Sequence, residues 1–145
     1  MVTAPAGPIP RIDAWVTLAF VAVAVGASIW SVLRPVAVVF DLTVFLVGCG
    51  VYTWALVRAA ARSRERTISL GGLFFLLEGV APRTVVMWLW GFVTVQVVVA
   101  VLTAAVHPFS ELAFGVLVPL FGFAMLALWS AVHGEFPRRE PVPVE

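Results

Sequence analysis

The chain has 145 residues and a net charge of +1, with 62% hydrophobic and 12% charged residues and a mean hydropathy of +1.07. Soluble domains contain about 45–50% apolar and about 25% charged residues, so this composition excludes an ordinary soluble domain and predicts a membrane protein. Cys49 is the only cysteine, which excludes an intramolecular disulfide, a CxxC redox pair and a cysteine zinc cluster within one chain.

The N-terminal stretch is rich in Pro, Ala and Gly and has no apolar periodicity, so residues 1–13 are predicted to be a disordered tail. Residues 14–33 carry no formal charge. At about 1.5 Å per residue they make about 30 Å of helix, which matches the hydrocarbon thickness of a bilayer. They form the first predicted span. A cleaved signal peptide has an apolar region of only about 7–15 residues, so we expect this span to be retained.

Three further apolar stretches are long enough to cross a bilayer. They cover residues 36–57, 84–106 and 109–132. Arg34-Pro35 ends the first span, and Pro35 suits the first turn of the second. His107-Pro108 turns the chain between the third and fourth spans, and Pro119 lies inside the fourth, where a neighbouring helix or a water would have to satisfy the freed carbonyl. Residues 133–145 are polar and Pro-rich, so they are predicted to be a second, mobile tail.

The arginines lie almost entirely at one end of the predicted spans. If the N-terminus is cytoplasmic, eight of the nine basic residues lie on the cytoplasmic side and Arg34 alone lies outside. The positive-inside rule therefore predicts a multi-pass plasma membrane protein with N- and C-termini in the cytoplasm. Residues 1–13 and 133–145 would then be cytoplasmic tails.

The connection between the second and third spans, RSRERTISLGGLFFLLEGVAPR, contains an apolar run that is too short to cross. The uncharged run from Thr67 to Leu77 is well below the about 20 residues that a span needs. Residues 68–81 are therefore predicted to form a short helix in the cytoplasmic interface, hinged by Gly71-Gly72 and ended by Pro82. Its predicted apolar face holds Leu73, Leu76, Leu77 and Val80. Three alternatives stay open for what this segment contacts: lipid, the underside of the bundle or another protein.

The same connection supplies the predicted lipid- or partner-binding residues. They are Arg58, Arg62, Arg64, Arg66, Leu73, Phe74, Phe75 and Arg83. Arg58, Arg62 and Arg66 recur every fourth residue and would share one face if the second helix continues beyond the membrane. Anionic lipid headgroups would relieve their mutual repulsion, at about 1 kcal/mol for each basic residue near the surface. A membrane explains this cluster better than a nucleic acid does, so nucleic-acid binding is not predicted.

Two polar side chains inside the spans are candidates for function. Asp41, in the second span, is by default a proton-relay or cation-site hypothesis; the alternative is a structural pair with Arg34 at the end of the same helix. Gln96, near the middle of the third span, needs hydrogen bonds, and a bond to another helix is its ordinary use. His107 and Glu111 lie on the same side as Asp41 and could add to a metal set, although ordinary loop residues are the favoured interpretation and no metal or cofactor is predicted.

Small residues mark places where helices can approach closely. In the second span these are Gly48-Cys49-Gly50, and in the fourth they are Ala127 and Ala131. No Ser-His-Asp arrangement, phosphate loop, HExxH motif or pair of carboxylates appears, so the sequence predicts no enzyme and no catalytic residue.

Two stretches, GGLFFLLEGVAPR (Gly71 to Arg83) and AFGVLVPLFGFAMLALWSAVHGEFPRR (Ala113 to Arg139), resemble a group of small four-span integral membrane proteins of actinobacteria whose function is uncharacterised. The closing pattern LW-x-A-x-H-G-x-F-P-R-R carries most of the resemblance. It implies an actinobacterial plasma membrane and agrees with a chain whose basic residues are all arginine. It assigns no catalytic residue.

Taken together, the sequence predicts an all-α membrane protein in which residues 14–132 form four transmembrane helices, with a short cytoplasmic interfacial helix between helices two and three. The first functional hypothesis is a non-enzymatic accessory subunit or assembly factor of a larger cell-envelope membrane complex, which contacts its partner through the Arg-rich connection. The second is a small homo-oligomeric transporter or channel, in which Asp41 and Gln96 would face a shared aqueous path.

Overall fold

The structure, a computed structural model, describes residues 7–77 and 79–138. These residues form five α-helices, α1 (Pro8–Ile29), α2 (Arg34–Arg62), α3 (Leu70–Phe75), α4 (Arg83–Val106) and α5 (Pro119–His133), and two short 3₁₀-helices, Ser31–Leu33 and Glu111–Leu117. The described part of the chain contains no strand, only an isolated bridge between Arg66 and Arg138. The all-helical prediction is confirmed.

Four helical stretches are long and apolar enough to cross a membrane. They are Pro8–Ile29, Ser31–Arg62, Arg83–Val106 and Glu111–His133. Pro35 lies in the first turn of α2, as predicted. There its missing N–H has no helical partner to lose.

The first helix begins earlier than the sequence predicted. α1 starts at Pro8, so residues 8–13, assigned above to a disordered tail, are helical. Proline is tolerated in the first turn of a helix, where it fixes φ at a helical value. Residues 1–6 lie outside the described residues. The helix then ends at Ile29 and not at residue 33, where the prediction ended the first span.

The C-terminal segment is also attached to the bundle over the part that the structure describes. The backbone N–H of Glu135 donates to the Val80 carbonyl at 3.1 Å, and that of Thr67 donates to the Pro137 carbonyl at 2.9 Å. Phe136 is buried between them. The predicted tail is therefore packed from residue 134 to at least residue 137, and residues 139–145 lie outside the described part.

The fourth span is interrupted at Pro119. A 3₁₀-helix occupies Glu111–Leu117, and α5 begins at Pro119, which stands in its first turn. A proline inside a continuous helix would remove one hydrogen bond and clash with the preceding turn, whereas at a helix start it does neither. Pro119 does lie inside the fourth apolar stretch, Glu111–His133, as predicted, but it begins a helix there, so it does not free a carbonyl in a helix interior.

The last helix is the centre of the bundle. In the most apolar 18-residue window of each span, 61% of the residues of Glu111–His133 are buried, against 33%, 22% and 28% for the other three in chain order. α1, α2 and α4 therefore surround α5 and turn most of their apolar surface outward. The outward side chains include Val36, Val39, Leu46, Val98 and Val101.

α2 and α5 approach each other closely at Gly48. A Cβ placed on Gly48 would lie 3.0 Å from the Phe121 Cα and 3.1 Å from the Phe121 backbone nitrogen. A side chain there would meet main-chain atoms that cannot rotate away, so glycine is what lets the two backbones come together. Gly50, two residues on, has no atom within 4 Å of its Cβ position and faces outward.

Candidate functional site

A cluster of three polar side chains lies in the core between α1 and α4. The Gln96 side-chain nitrogen Nε2 donates to Oδ1 of Asp13 at 3.1 Å and to Oγ1 of Thr17 at 2.7 Å. Asp13 and Thr17 are four residues apart and so lie on the same face of α1. All three are buried: Asp13 and Gln96 have 0% of their surface exposed and Thr17 has 5%. Gln96 thus bonds to a neighbouring helix, which is the ordinary use expected for an amide inside a span.

The cluster is only half satisfied. Oδ2 of Asp13 and Oε1 of Gln96 are buried and have no hydrogen-bond partner. α5 closes the other side: a Cβ on Gly122 would lie 2.6 Å from Oε1 of Gln96 and 2.8 Å from Cγ2 of Val93. Glycine at position 122 therefore makes the room that the Gln96 amide occupies.

We expect Gly122→Ala to destabilise the protein. The added methyl group would press on Gln96 and Val93 inside a closed core, and overpacking of this kind costs about 1–3 kcal/mol. Thermal unfolding of the purified protein in one detergent measures this loss of stability. The matched control is Gly91→Ala, because Gly91 also lies inside a helix but has open space at its Cβ position. There the same change should be neutral or stabilising. Equal effects at the two positions would contradict the described packing.

Asp13 was missed by the sequence analysis, which placed it in the tail. The signal was present in the spacing: Asp13 and Thr17 follow Ile9 at four-residue intervals, and Pro8 and Pro10 are compatible with a first helical turn. Extending the helix back to Pro8 places all three on its buried face. The site therefore has two inward-facing acids, Asp13 and Asp41.

Asp41 lies apart from this cluster. Its side chain is buried and faces the 3₁₀-helix before α5: a Cβ on Gly115 would lie 3.6 Å from Oδ2 of Asp41 and 3.4 Å from Cε2 of Phe20. Phe20 is one turn beyond Thr17 on the buried face of α1. Oδ1 of Asp41 and Nε of Arg34 both lack a hydrogen-bond partner, so the suggested pairing of these two side chains is not made through those atoms.

The possible metal set is not assembled. Among the described residues, no group of three or more His, Cys, Asp or Glu side chains is placed to hold a metal ion. Glu111 is exposed and His107 half-buried in the turn after α4. His107 follows α4 directly, whereas Glu111 is the first residue of the 3₁₀-helix Glu111–Leu117.

At the Arg-rich end of the bundle, where α2 ends and α4 begins, two arginines bind the protein's own backbone. Arg62 donates from Nη1 to the Ala131 carbonyl at 2.8 Å and from Nη2 to the Gly134 carbonyl at 2.9 Å. Arg66 donates from Nη1 to the Phe136 carbonyl at 2.8 Å. The last carbonyls of a helix have no partner within it, so Arg62 caps α5. These two guanidinium groups are engaged inside the protein, which differs from their predicted role towards lipid or a partner.

The remaining arginines of the predicted site stay on the surface. Arg58, Arg64 and Arg83 are exposed, and the Arg58 guanidinium lies over the Trp54 ring, 5.8 Å from its centroid. The predicted common helical face of Arg58, Arg62 and Arg66 is not formed, because α2 ends at Arg62. The exposed basic surface is therefore smaller than the sequence suggested.

The segment 68–81 contains a helix of six residues, Leu70–Phe75. Gly71-Gly72 lies inside this helix and is not a hinge before it. Oγ of Ser69 caps its start by accepting from the Gly72 N–H at 3.0 Å. The helix ends at Phe75, and the next residue, Leu76, has a left-handed backbone with φ of 54°. Of the helix predicted over residues 68–81, only Leu70–Phe75 is formed.

One side of this segment packs on the underside of the bundle. Leu73, Leu76 and Val80 are buried, and Leu73 packs in one cluster with Ala55, Ala59, Ala127 and Ala131. Oγ of Ser130 donates to the Gly72 carbonyl at 2.9 Å, which ties α3 to α5. Leu77, predicted on the same face as Leu73, is exposed together with Leu70 and Phe75, while Phe74 is half-buried and stacks on Tyr52. Glu78 lies outside the described residues.

Comparison of the chain with protein-family models, curated proteins and solved structures gives no match. The resemblance to small actinobacterial membrane proteins therefore stays a prediction, and the function has to be argued from the residues themselves.

Proposed function

We propose that this protein is a small, non-enzymatic, multi-pass protein of the plasma membrane that acts as an accessory subunit or assembly factor of a larger cell-envelope membrane complex. The observation that carries the proposal is the distribution of burial: α5 fills the centre, while α1, α2 and α4 turn most of their apolar surface outward. Because α5 fills the middle of the bundle, a partner protein would contact the outer surface.

The outward hydroxyl groups support a lipid environment for that surface. Thr43, Thr53 and Thr94 are exposed, and each donates to the carbonyl four residues earlier, at 2.6, 2.9 and 2.8 Å. In hydrocarbon no water is present to satisfy a hydroxyl, so bonding within the helix is the available solution. These bonds, together with the large exposed apolar side chains, favour insertion of all four helical stretches.

The proposed contact surface for a partner lies at the Arg-rich end, which the positive-inside rule assigns to the cytoplasm together with both termini. It consists of the exposed residues Arg58, Arg64, Leu70, Phe75, Leu77 and Arg83. This combination of charge and apolar side chains on and around α3 suits either the headgroup layer with its anionic lipids or the cytoplasmic edge of another membrane protein.

Site-specific photo-crosslinking in native membranes tests the proposal. A photoreactive residue at Phe75 is expected to capture one heterologous membrane protein at constant stoichiometry, and the same residue at Val39, which is exposed on α2, serves as the matched control. The steady-state level of the captured protein should fall several-fold when the present chain is absent. Capture of lipid alone from Phe75, with unchanged levels of every membrane complex, would contradict an accessory role.

A small homo-oligomeric transporter or channel is the second candidate, and the two inward-facing acids favour it. Oδ2 of Asp13 and Oδ1 of Asp41 are buried without a hydrogen-bond partner, and an acid inside a span is by default a candidate for ion or proton handling. The sequence predicted that Gln96 would face a shared aqueous path together with Asp41. In the structure Gln96 bonds instead to Asp13 in the core of one chain. Crosslinks between copies from both Phe75 and Val39 would favour this candidate over the first.

A further inference from the structure

We infer that Asp13 is a proton-binding residue inside the membrane bundle, kept neutral by its apolar surroundings, with the Gln96 amide as its hydrogen-bond partner. The inference concerns the core of a single chain and does not depend on the proposed function. It begins with an incomplete pair: Nε2 of Gln96 donates to Oδ1 of Asp13 at 3.1 Å, while the second oxygen of each group, Oδ2 and Oε1, has no partner.

A proton supplies the missing donor. A primary amide and a carboxylic acid are complementary, since the amide N–H donates to one carboxyl oxygen and the carboxyl O–H donates to the amide oxygen. An ionised carboxylate has no donor, so both Oδ2 and Oε1 would stay unsatisfied acceptors in the core. Each buried acceptor without a partner destabilises the folded core. Protonation of Oδ2 provides a hydrogen for Oε1 and removes the charge in the same step.

Within the described residues of α1, α4 and α5, no cation is placed to compensate an ionised Asp13. On α1 the neighbouring Arg11 is exposed. On α4 no charged or titratable side chain lies between Arg83 and His107, which are 13 and 11 residues from Gln96 and so about 16–20 Å along the helix. On α5 the first such residue is His133. An isolated carboxylate in an apolar interior is far costlier than its neutral form.

The remaining acids on the elements packed around α1 do not change this conclusion. Asp41 of α2 lies close to Gly115, and Glu111 in the 3₁₀-helix is exposed. A metal cation is a poorer occupant than a proton. The Gln96 nitrogen points its hydrogens at Asp13 and at Thr17, so a donor stands where a cation would need oxygen ligands.

Infrared difference spectroscopy of the full chain in lipid nanodiscs tests the inference at neutral pH. Asp13→Asn keeps an amide partner for Gln96 and is expected to remove the C=O stretch of a protonated carboxyl while leaving the carboxylate bands unchanged. Asp41→Asn is the matched control and should leave the Asp13 band in place. Loss of a carboxylate band in Asp13→Asn would overturn the inference. So would a carboxylate band of the unsubstituted protein that changes when sodium in the buffer is replaced by choline.

A second variant covers the case in which Asp13→Asn fails to fold. Gln96→Leu keeps Asp13 and removes the amide, so the C=O stretch of the Asp13 carboxyl should move to higher frequency because its hydrogen bond from Nε2 is lost. If the spectrum of Gln96→Leu in the protonated-carboxyl region were unchanged, the inference would be overturned.

Discussion

Arg62→Ala is expected to lower the free energy of unfolding by about 2–3 kcal/mol, because it removes charge-assisted hydrogen bonds to the last carbonyls of α5. Arg62 bonds to the carbonyls of Ala131 and Gly134, and its guanidinium lies over the Phe136 ring at 5.8 Å from the centroid. All of these partners belong to α5 or to the segment that follows it. Unfolding titrations in a single detergent measure the change.

Arg64→Ala is the control for this prediction. Arg64 has the same charge in the same connection but is exposed, and surface substitutions of this kind change stability by less than about 0.5 kcal/mol. If Arg62 instead served mainly to bind anionic lipid, the two variants would lose lipid affinity equally and would unfold alike. That outcome would contradict a capping role for Arg62.

Gly48→Leu is expected to separate α2 from α5 and to cost about 3 kcal/mol, at the upper end of the usual range for overpacking. The reason is the distance of 3.0 Å from a Cβ at position 48 to the Phe121 Cα. A flexible side chain can rotate away from an added group, but a main-chain atom of the central helix moves only if the helix moves. The unfolding midpoint and the yield of monodisperse protein measure the effect.

Gly50→Leu is the control for this prediction. Gly50 lies in the same helix, two residues further on, with open space at its Cβ position. The substitution should be tolerated, and in lipid it should add apolar surface at no packing cost. If Gly50→Leu were the more damaging substitution, the face of α2 that meets α5 would be wrongly assigned, and with it the central position of α5.

The number of helices and their approximate positions could be predicted from the sequence because they follow from the length of apolar runs and from proline. Pro35 marked the start of α2, and the run after Arg83 marked α4. Pro119 was harder to interpret. Length alone accepts residues 109–132 as one span, whereas the backbone uses the proline to begin a new helix after a 3₁₀ segment.

The site residues were predicted less well, because hydropathy does not reveal what a polar side chain faces. Gln96 was found since it interrupts an apolar run. Its partner Asp13 was not, because it lies near the start of a helix among prolines. Arg62 and Arg64 look alike in the sequence, and only the return of the chain after α5 decides that one caps a helix while the other is exposed.

The central claim is that four helices cross the membrane with the Arg-rich end in the cytoplasm, and labelling of single cysteines in intact cells tests it most directly. Cys49→Ala removes the one native thiol, and a cysteine is then placed at Phe109 or at Arg64, both of which are exposed. A membrane-impermeant maleimide should label Phe109→Cys in intact cells and Arg64→Cys only after permeabilisation. Labelling of Arg64→Cys in intact cells, or equal labelling of both without permeabilisation, would contradict the claim.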